Sequence, residues 1–263
     1  MGASLKNVSP KCAKQLPKVV VASFASCFGC QLQITNAEAY LCSILWQIDL
    51  EYWQLTTSAA VPEAFDVLIV EGAITTEEAR KQLVQLASRA STVIAIGACA
   101  VSAGIPAMAL GGLKANAKSV YETLPNACGE MLEPAPVSKF VNVDFEVRGC
   151  PIDTMEFVEV LQSAIYGSNK NAKTQTMCAD CKRNNSDCFF ASGTLCMGLV
   201  TQAGCKAKCV AKGRPCNGCR GVSRAANLES ARQVCDRFGV DVAQFDDALQ
   251  LFNKGFLASQ TCE

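Results

Sequence analysis

The chain of 263 residues is long enough to bury a sizeable core, in one large domain or two smaller ones. Its 24 Lys and Arg balance 24 Asp and Glu, so charge gives no reason to expect nucleic acid or an anionic membrane surface as a partner. There are 17 cysteines and no histidine, and the absence of histidine rules out mixed Cys/His zinc sites and imidazole general bases. The cysteines crowd the second part of the chain, unlike a secreted disulfide scaffold, and metal ligation in a reducing compartment fits them better.

The β-branched run from Val19 reads as a buried strand whose following loop delivers Cys27-Phe-Gly-Cys30. That C-x-x-C pair alone leaves three readings open: a redox dithiol, half of a zinc site, or an iron–sulfur ligand pair. Leu32 to Ile48 is amphipathic enough for a helix, and Asp49 to Leu55 reads as a second strand. Phe65 to Val70 is a continuous buried-strand run ending in Glu71-Gly72, where the lone carboxylate reads as a structural acceptor. Thr75-x-x-Glu78 has the form of a capping box and opens a crossover helix to Ala90. Thr92 to Ile96 is the next strand, followed by Gly97-Ala-Cys99 and a Gly/Pro-containing loop, Gly104 to Gly112. Lys114 to Gly129 reads as irregular or helical, and Phe140 to Val147 as a strand ending in Arg148-Gly-Cys150-Pro151. A second capping box, Asp153-x-x-Glu156, opens a helix with Val158, Leu161 and Ile165 on one face and Gly167 as its C-terminal cap. Alternating strands and helices predict a mainly parallel sheet. The carboxyl ends of such strands share one edge, so Cys27, Cys30, Cys99 and Cys150 are expected to converge there.

Ser168 to Thr176 is polar and reads as a linker. Beyond it come eight cysteines, Cys178, Cys181, Cys188, Cys196, Cys205, Cys209, Cys216 and Cys219, among glycines and basic residues. A segment of that composition is not expected to build an ordinary apolar core and is expected to be held by metal centres. Eight ligands make two sets of four, and composition alone leaves structural zinc and iron–sulfur clusters both open. Ala225 to Phe256 turns helical, with a break at Gly239. Cys12, Cys42, Cys128, Cys235 and Cys262 are isolated and read as buried small hydrophobes or idle thiols. There is no G-x-G-x-x-G, no Walker loop and no apolar run of about 18 residues that would span a membrane. The first residues, MGASLKNVSPKCAKQ, contain neither an apolar leader region nor a twin-arginine pair, and a cytoplasmic location is expected.

Cys27-x-Gly-Cys30-Gln, Glu71-Gly-Ala, Gly97-x-Cys99-Ala and Gly149-Cys150-Pro151 resemble the proximal-cluster motifs of the small subunit of [NiFe] hydrogenases. Leu195-Cys-Met-Gly-Leu-Val-Thr201, Ala203-Gly-Cys205 and Pro215-Cys-Asn-Gly-Cys-Arg-Gly221 are similar to its medial and distal cluster region. The resemblance covers roughly residues 19–221. It implies an α/β fold: a flavodoxin-like parallel sheet with helices on both faces (residues 1–167, with the proximal cluster), then a small cysteine-rich iron–sulfur domain (168–263, with C-terminal helices). It further implies three [4Fe-4S] clusters: a proximal one on Cys27, Cys30, Cys99 and Cys150, a distal one on Cys178, Cys181, Cys188 and Cys196, and a medial one on Cys205, Cys209, Cys216 and Cys219.

Membrane-bound and periplasmic relatives carry a twin-arginine leader and a histidine as first distal ligand, where this chain has Cys178. The resemblance therefore points to the cytoplasmic group, similar to the methyl-viologen-reducing and F420-reducing hydrogenases of methanogens and to sulfhydrogenase. The related subunit of complex I has adjacent cysteines in the first motif, unlike Cys27-Phe-Gly-Cys30. The implied activity is that of an oxidoreductase subunit. A separate large subunit would split hydrogen, and this chain would pass electrons to a flavin or iron–sulfur partner, including one linked to heterodisulfide reductase. The competing reading is a non-catalytic zinc-binding interaction module on a flavodoxin-like domain.

Overall fold

A computed structural model describes residues 16–123, 129–168 and 173–260. Cys12, Cys128, Cys262 and part of the linker lie outside the described residues. The strands are β1 (Lys18–Ser23), β2 (Asp49–Trp53), β3 (Val67–Glu71), β4 (Ile74–Thr76), β5 (Thr92–Ile96), β6 (Met131–Ala135) and β7 (Phe145–Val147). The helices are α1 (Gly29–Thr35), α2 (Glu38–Leu45), α3 (Glu77–Ala87), α4 (Gly97–Ser102), α5 (Leu113–Val120), α6 (Thr154–Tyr166), α7 (Met177–Arg183), α8 (Lys208–Ala211), α9 (Leu228–Arg237) and α10 (Val242–Gln260).

Five strands form a parallel sheet in the order β2-β1-β3-β5-β7. Counting only these strands, that is the 2-1-3-4-5 order of flavodoxin-like folds. The alternation expected of a strand buried on both faces is complete. Val19, Val21, Val67, Ile69, Ile94 and Ile96 pack with side chains of α1, α2 and α6. Val20, Ala22, Leu68, Val70, Val93 and Ala95 pack on the other face with Leu83 and Leu86 of α3 and Ala100 of α4. The pairing puts Ser23 beside Glu71, Glu71 beside Ile96, and Ile96 beside Val147, so the carboxyl ends finish in one row.

Several elements differ from the sequence reading for local reasons. The single helix expected from Leu32 to Ile48 is two, α1 and α2, separated at Asn36-Ala37, and α1 begins inside the C-x-x-C pair. The cap of α3 is Thr76, not Thr75: its hydroxyl accepts the Ala79 N–H at 3.2 Å. Asp153 does cap α6, accepting the Glu156 N–H at 2.9 Å, and Gly167 closes that helix in the left-handed region. The reciprocal half of the second box is missing because the Glu156 side chain is engaged by Arg220. Strand β6 contains Pro134, which argues against a central strand, and it pairs only with short β4 in a separate antiparallel ribbon. The strand expected from Phe140 shrinks to β7, since Phe140, Val141 and Val143 turn onto the α3 side of the sheet.

The cysteine-rich segment has more apolar support than its composition implied. Phe190, Met197 and Val200 from its loops pack with Ala231, Cys235, Val240, Phe245 and Leu249 of the α9–α10 region. This burial accounts for isolated Cys235, a small hydrophobe in a core, whereas Cys42 is an exposed thiol. Helix α10 also reaches the sheet region. Phe252 O accepts the Ser102 hydroxyl at 3.0 Å, and Lys254 donates to Met108 O and Leu110 O at 3.1 and 2.9 Å. Phe245 is fully buried, so Phe245→Ala should cost about 3–5 kcal/mol. A thermal melt should show a clear drop, and an unchanged melt would mean that this shared core contributes little.

Candidate functional site

The parallel sheet dictates where the first four cysteines lie. Cys27 follows β1 and is exposed, Cys30 is buried in the first turn of α1, Cys99 lies in α4 directly after β5, and Cys150 follows β7. Burial, followed by the charges of Glu71, Cys150 and Cys99, holds the Cys30 thiol well above its ordinary range. Burial, then Cys150 and Cys27, pushes Cys99 up to about 11, and burial, then Cys27 and Glu71, raises Cys150. The four sulfurs thus lie close enough to feel one another. Backbone N–H groups of Ile152 and Ile105 point at the sulfurs of Cys30 and Cys99.

Gly97 is required by this crowding. Its φ is +83°, and a Cβ there would stand 2.5 Å from the Cys30 Sγ. Glu71, 1 % exposed, accepts the Cys30 N–H at 3.1 Å and the Gln31 amide at 2.6 Å, and Trp53 donates to Gln31 in turn. It is the structural acceptor expected from sequence, and it fixes the first turn of α1.

The eight later cysteines fall into two fours. Cys178, Cys181, Cys188 and Cys196 line a cavity of about 40 Å³ walled by Phe189, Phe190 and Leu199. Cys205, Cys209, Cys216 and Cys219 line a second, of about 20 Å³, with Ala207, Val210 and Arg220. Met177 borders both. Burial pushes Cys178 and Cys219 up to about 11 and Cys216 up to about 12. The sulfurs also receive donors: the Gly218 N–H at Cys216, and the Cys216 N–H, at 3.3 Å, at Cys196.

A zinc ion would draw four sulfurs to about 2.3 Å from one point. Here, four soft thiol donors line each cavity, a set that suits one zinc ion or a multi-iron cluster alike. Such a donor set fits a multi-iron cluster, in which each thiolate holds its own iron.

Sequence reasoning missed the polar residues that tie these sites together. Asp153, 8 % exposed, pairs with Lys208, the neighbour of Cys209. Glu156 and Arg220 form a buried pair between α6 and the last cysteine motif. The signal for the second pair was present in the sequence as an arginine directly after Cys219, but Glu156 had a local explanation as a capping residue.

Without bound metal, the folded chain keeps Cys99, Cys178 and Cys219 protonated to about 11 and Cys216 to about 12, while thiols of the unfolded chain ionise near 9.0. Between these values the folded state binds more protons, so this contribution to stability is complete below pH 9 and is lost as pH rises through the folded values. The urea midpoint of the reduced, metal-free chain should therefore fall between about pH 9 and about pH 11. Cys216→Ser should remove part of that fall, and an identical decline in the variant would count against this account.

Known proteins resemble this chain in sequence and in fold. The chain is 31 % identical over 221 residues to the sulfhydrogenase 2 subunit delta of Pyrococcus furiosus, covering 82 % of this chain and 91 % of that protein. It is 27 % identical to a vhu subunit of the F420-non-reducing hydrogenase of Methanocaldococcus jannaschii, over 90 % of this chain and 93 % of that one. The fold is shared with a chain of the Ni-Fe-Se hydrogenase from Desulfomicrobium baculatum, at a TM-score of 0.58 and 20 % identity over 78 % of this chain and 94 % of that one. A chain of an NAD+-reducing [NiFe]-hydrogenase matches at a TM-score of 0.55 and 24 % identity, over 60 % of this chain and 95 % of that one. Residues 27–164 match the family described as NADH ubiquinone oxidoreductase, 20 Kd subunit, and the chain belongs to that family, alongside relatives named as hydrogenase subunits.

Proposed function

We propose that this chain is the iron–sulfur electron-transfer subunit of a cytoplasmic [NiFe] hydrogenase. In this reading Cys27, Cys30, Cys99 and Cys150 hold a proximal [4Fe-4S] cluster. Cys205, Cys209, Cys216 and Cys219 hold a medial one, and Cys178, Cys181, Cys188 and Cys196 a distal one. The observation that carries it is the grouping of twelve cysteines into three fours, one at the carboxyl edge of the sheet and two around cavities. The hydrogenase names of the relatives favour this over the zinc-module alternative. The Cys27-x-x-Cys30 spacing also sets the chain apart from the quinone-reductase branch of its family.

Bound clusters would supply one-electron transfer. The chain's own contribution is to offer thiols that exchange their protons for iron, to disperse charge through N–H donors on the sulfurs, and to keep water out with apolar walls. Cys27 is exposed at the proximal edge, and the large apolar side chains of Leu32 and Ile105, close in sequence or contact to Cys30 and Cys99, are exposed too. A large subunit carrying the nickel–iron centre would cover that edge, and a flavin or iron–sulfur acceptor would take electrons from the distal site. Among the described residues no helix is long and apolar enough to cross a membrane. The reading keeps two regions, residues 1–167 and 168–263, supported by their separate apolar cores.

Three four-iron clusters require about twelve iron and twelve acid-labile sulfide in this chain, on top of the iron that the large subunit and an acceptor bring to the anaerobically purified complex. A colourless protein holding zinc and lacking sulfide would overturn the reading in favour of the zinc module. The medial assignment has its own test. A fourth thiolate retains the fourth iron, so Cys209→Pro should produce a three-iron centre of higher potential, visible by electron paramagnetic resonance in the oxidised protein. An intense three-iron signal already present in the unmutated protein would rule out Cys209 as a ligand.

A further inference from the structure

Arg220 is 3 % exposed, and nothing in the proposed electron-transfer role requires an arginine there. Its guanidinium uses all of its N–H donors. Nε donates to Gln202 O at 3.1 Å, Nη2 to Ala203 O at 3.1 Å, and Nη1 to Arg148 O. The remaining two N–H groups form a fork with Glu156, at 2.7 and 2.8 Å. These partners lie on the segments that carry the cysteines. Arg148 is two residues before Cys150, Ala203 two before Cys205, and Arg220 itself follows Cys219. The arrangement tolerates no side chain at Gly204, whose added Cβ would stand 2.1 Å from Arg220 Nη2 at a φ of +145°. A buried ion pair is a poor source of stability, since well-packed apolar residues would serve as well. One that clamps three cysteine-bearing segments has another use.

We propose that Arg220 is a positioning residue that holds the proximal and medial cysteine sites against one another and raises the reduction potential of the medial site. The inference rests on the cluster assignment above. Within the clamp, the backbone N–H of Cys150, a proximal cysteine, reaches the Sγ of Cys219, a medial one, giving a short route between the two sites. Arg220 lines the medial cavity together with Cys205 and Cys219, so its charge stands beside that site. A centre held by four thiolates becomes more negative when it accepts an electron. A fixed cation beside it, in a site with little water, therefore favours the reduced state. Glu156 opposes this charge while holding it in place.

The test is a redox titration of the intact complex, followed by electron paramagnetic resonance so that each centre is read separately. Arg220→Gln should shift the medial midpoint downward, leaving the reduced-to-oxidised ratio of the medial centre about tenfold lower at the potential where the unmutated one is half reduced. The distal midpoint should stay unchanged. Glu156→Gln, which keeps the arginine and its three carbonyl partners, should shift the medial midpoint upward. An unchanged medial midpoint in Arg220→Gln overturns the proposal. If that variant does not assemble its centres, the Glu156→Gln titration decides: an upward shift supports the role and no shift overturns it. Absence of iron–sulfur signals from the unmutated complex would instead overturn the cluster assignment itself.

Discussion

The constraint on which the rest depends is the common register of the parallel strands. Because Ser23, Glu71, Ile96 and Val147 end in one row, three separate stretches of chain leave the sheet at the same edge, each with a cysteine close behind. No helix or loop has to be long to bring those thiols together. The cost appears as crowding: Gly97 has no room for a side chain beside the Cys30 sulfur, and the buried Glu71 carboxylate must be satisfied by Gln31 and the Cys30 N–H.

Burial of the thiols works in two directions. It keeps them protonated in the metal-free chain, as the raised values at Cys99, Cys178, Cys216 and Cys219 show. The same apolar walls would shield any bound centre from water, and N–H donors stand ready to take up charge that accumulates on sulfur. A site of this kind is poor at holding bare thiolates and suited to thiolates that share their charge with metal.

The sites are also joined to each other. The Cys216 N–H donates to the Cys196 sulfur at 3.3 Å, from one cavity to the next, as the Cys150 N–H reaches Cys219 between the sheet edge and the cysteine-rich region. Around these contacts lie the Arg220–Glu156 fork, the Asp153–Lys208 pair and the docking of α10 beside α4. The two regions are therefore coupled by polar contacts, although each has its own apolar core.

Much of this was legible in the sequence because it depends on local pattern. Continuous β-branched runs between helical stretches specify a parallel sheet, and a parallel sheet brings its strand ends to one edge whatever the helices do in detail, so the convergence of Cys27, Cys30, Cys99 and Cys150 could be argued from spacing alone. The C-terminal helices and the Asp153 cap were legible for the same reason. What depended on contacts distant in sequence was not. The core shared by Phe190 and Phe245, the ribbon of β4 with Pro134-containing β6, and the diversion of Glu156 from its helix cap to Arg220, 64 residues away, leave no periodic trace in the chain. Local sequence determined which residues could ligate and roughly where they stood. Only tertiary packing decided which charges and donors face them, because those partners are chosen by proximity in space and not by position along the chain.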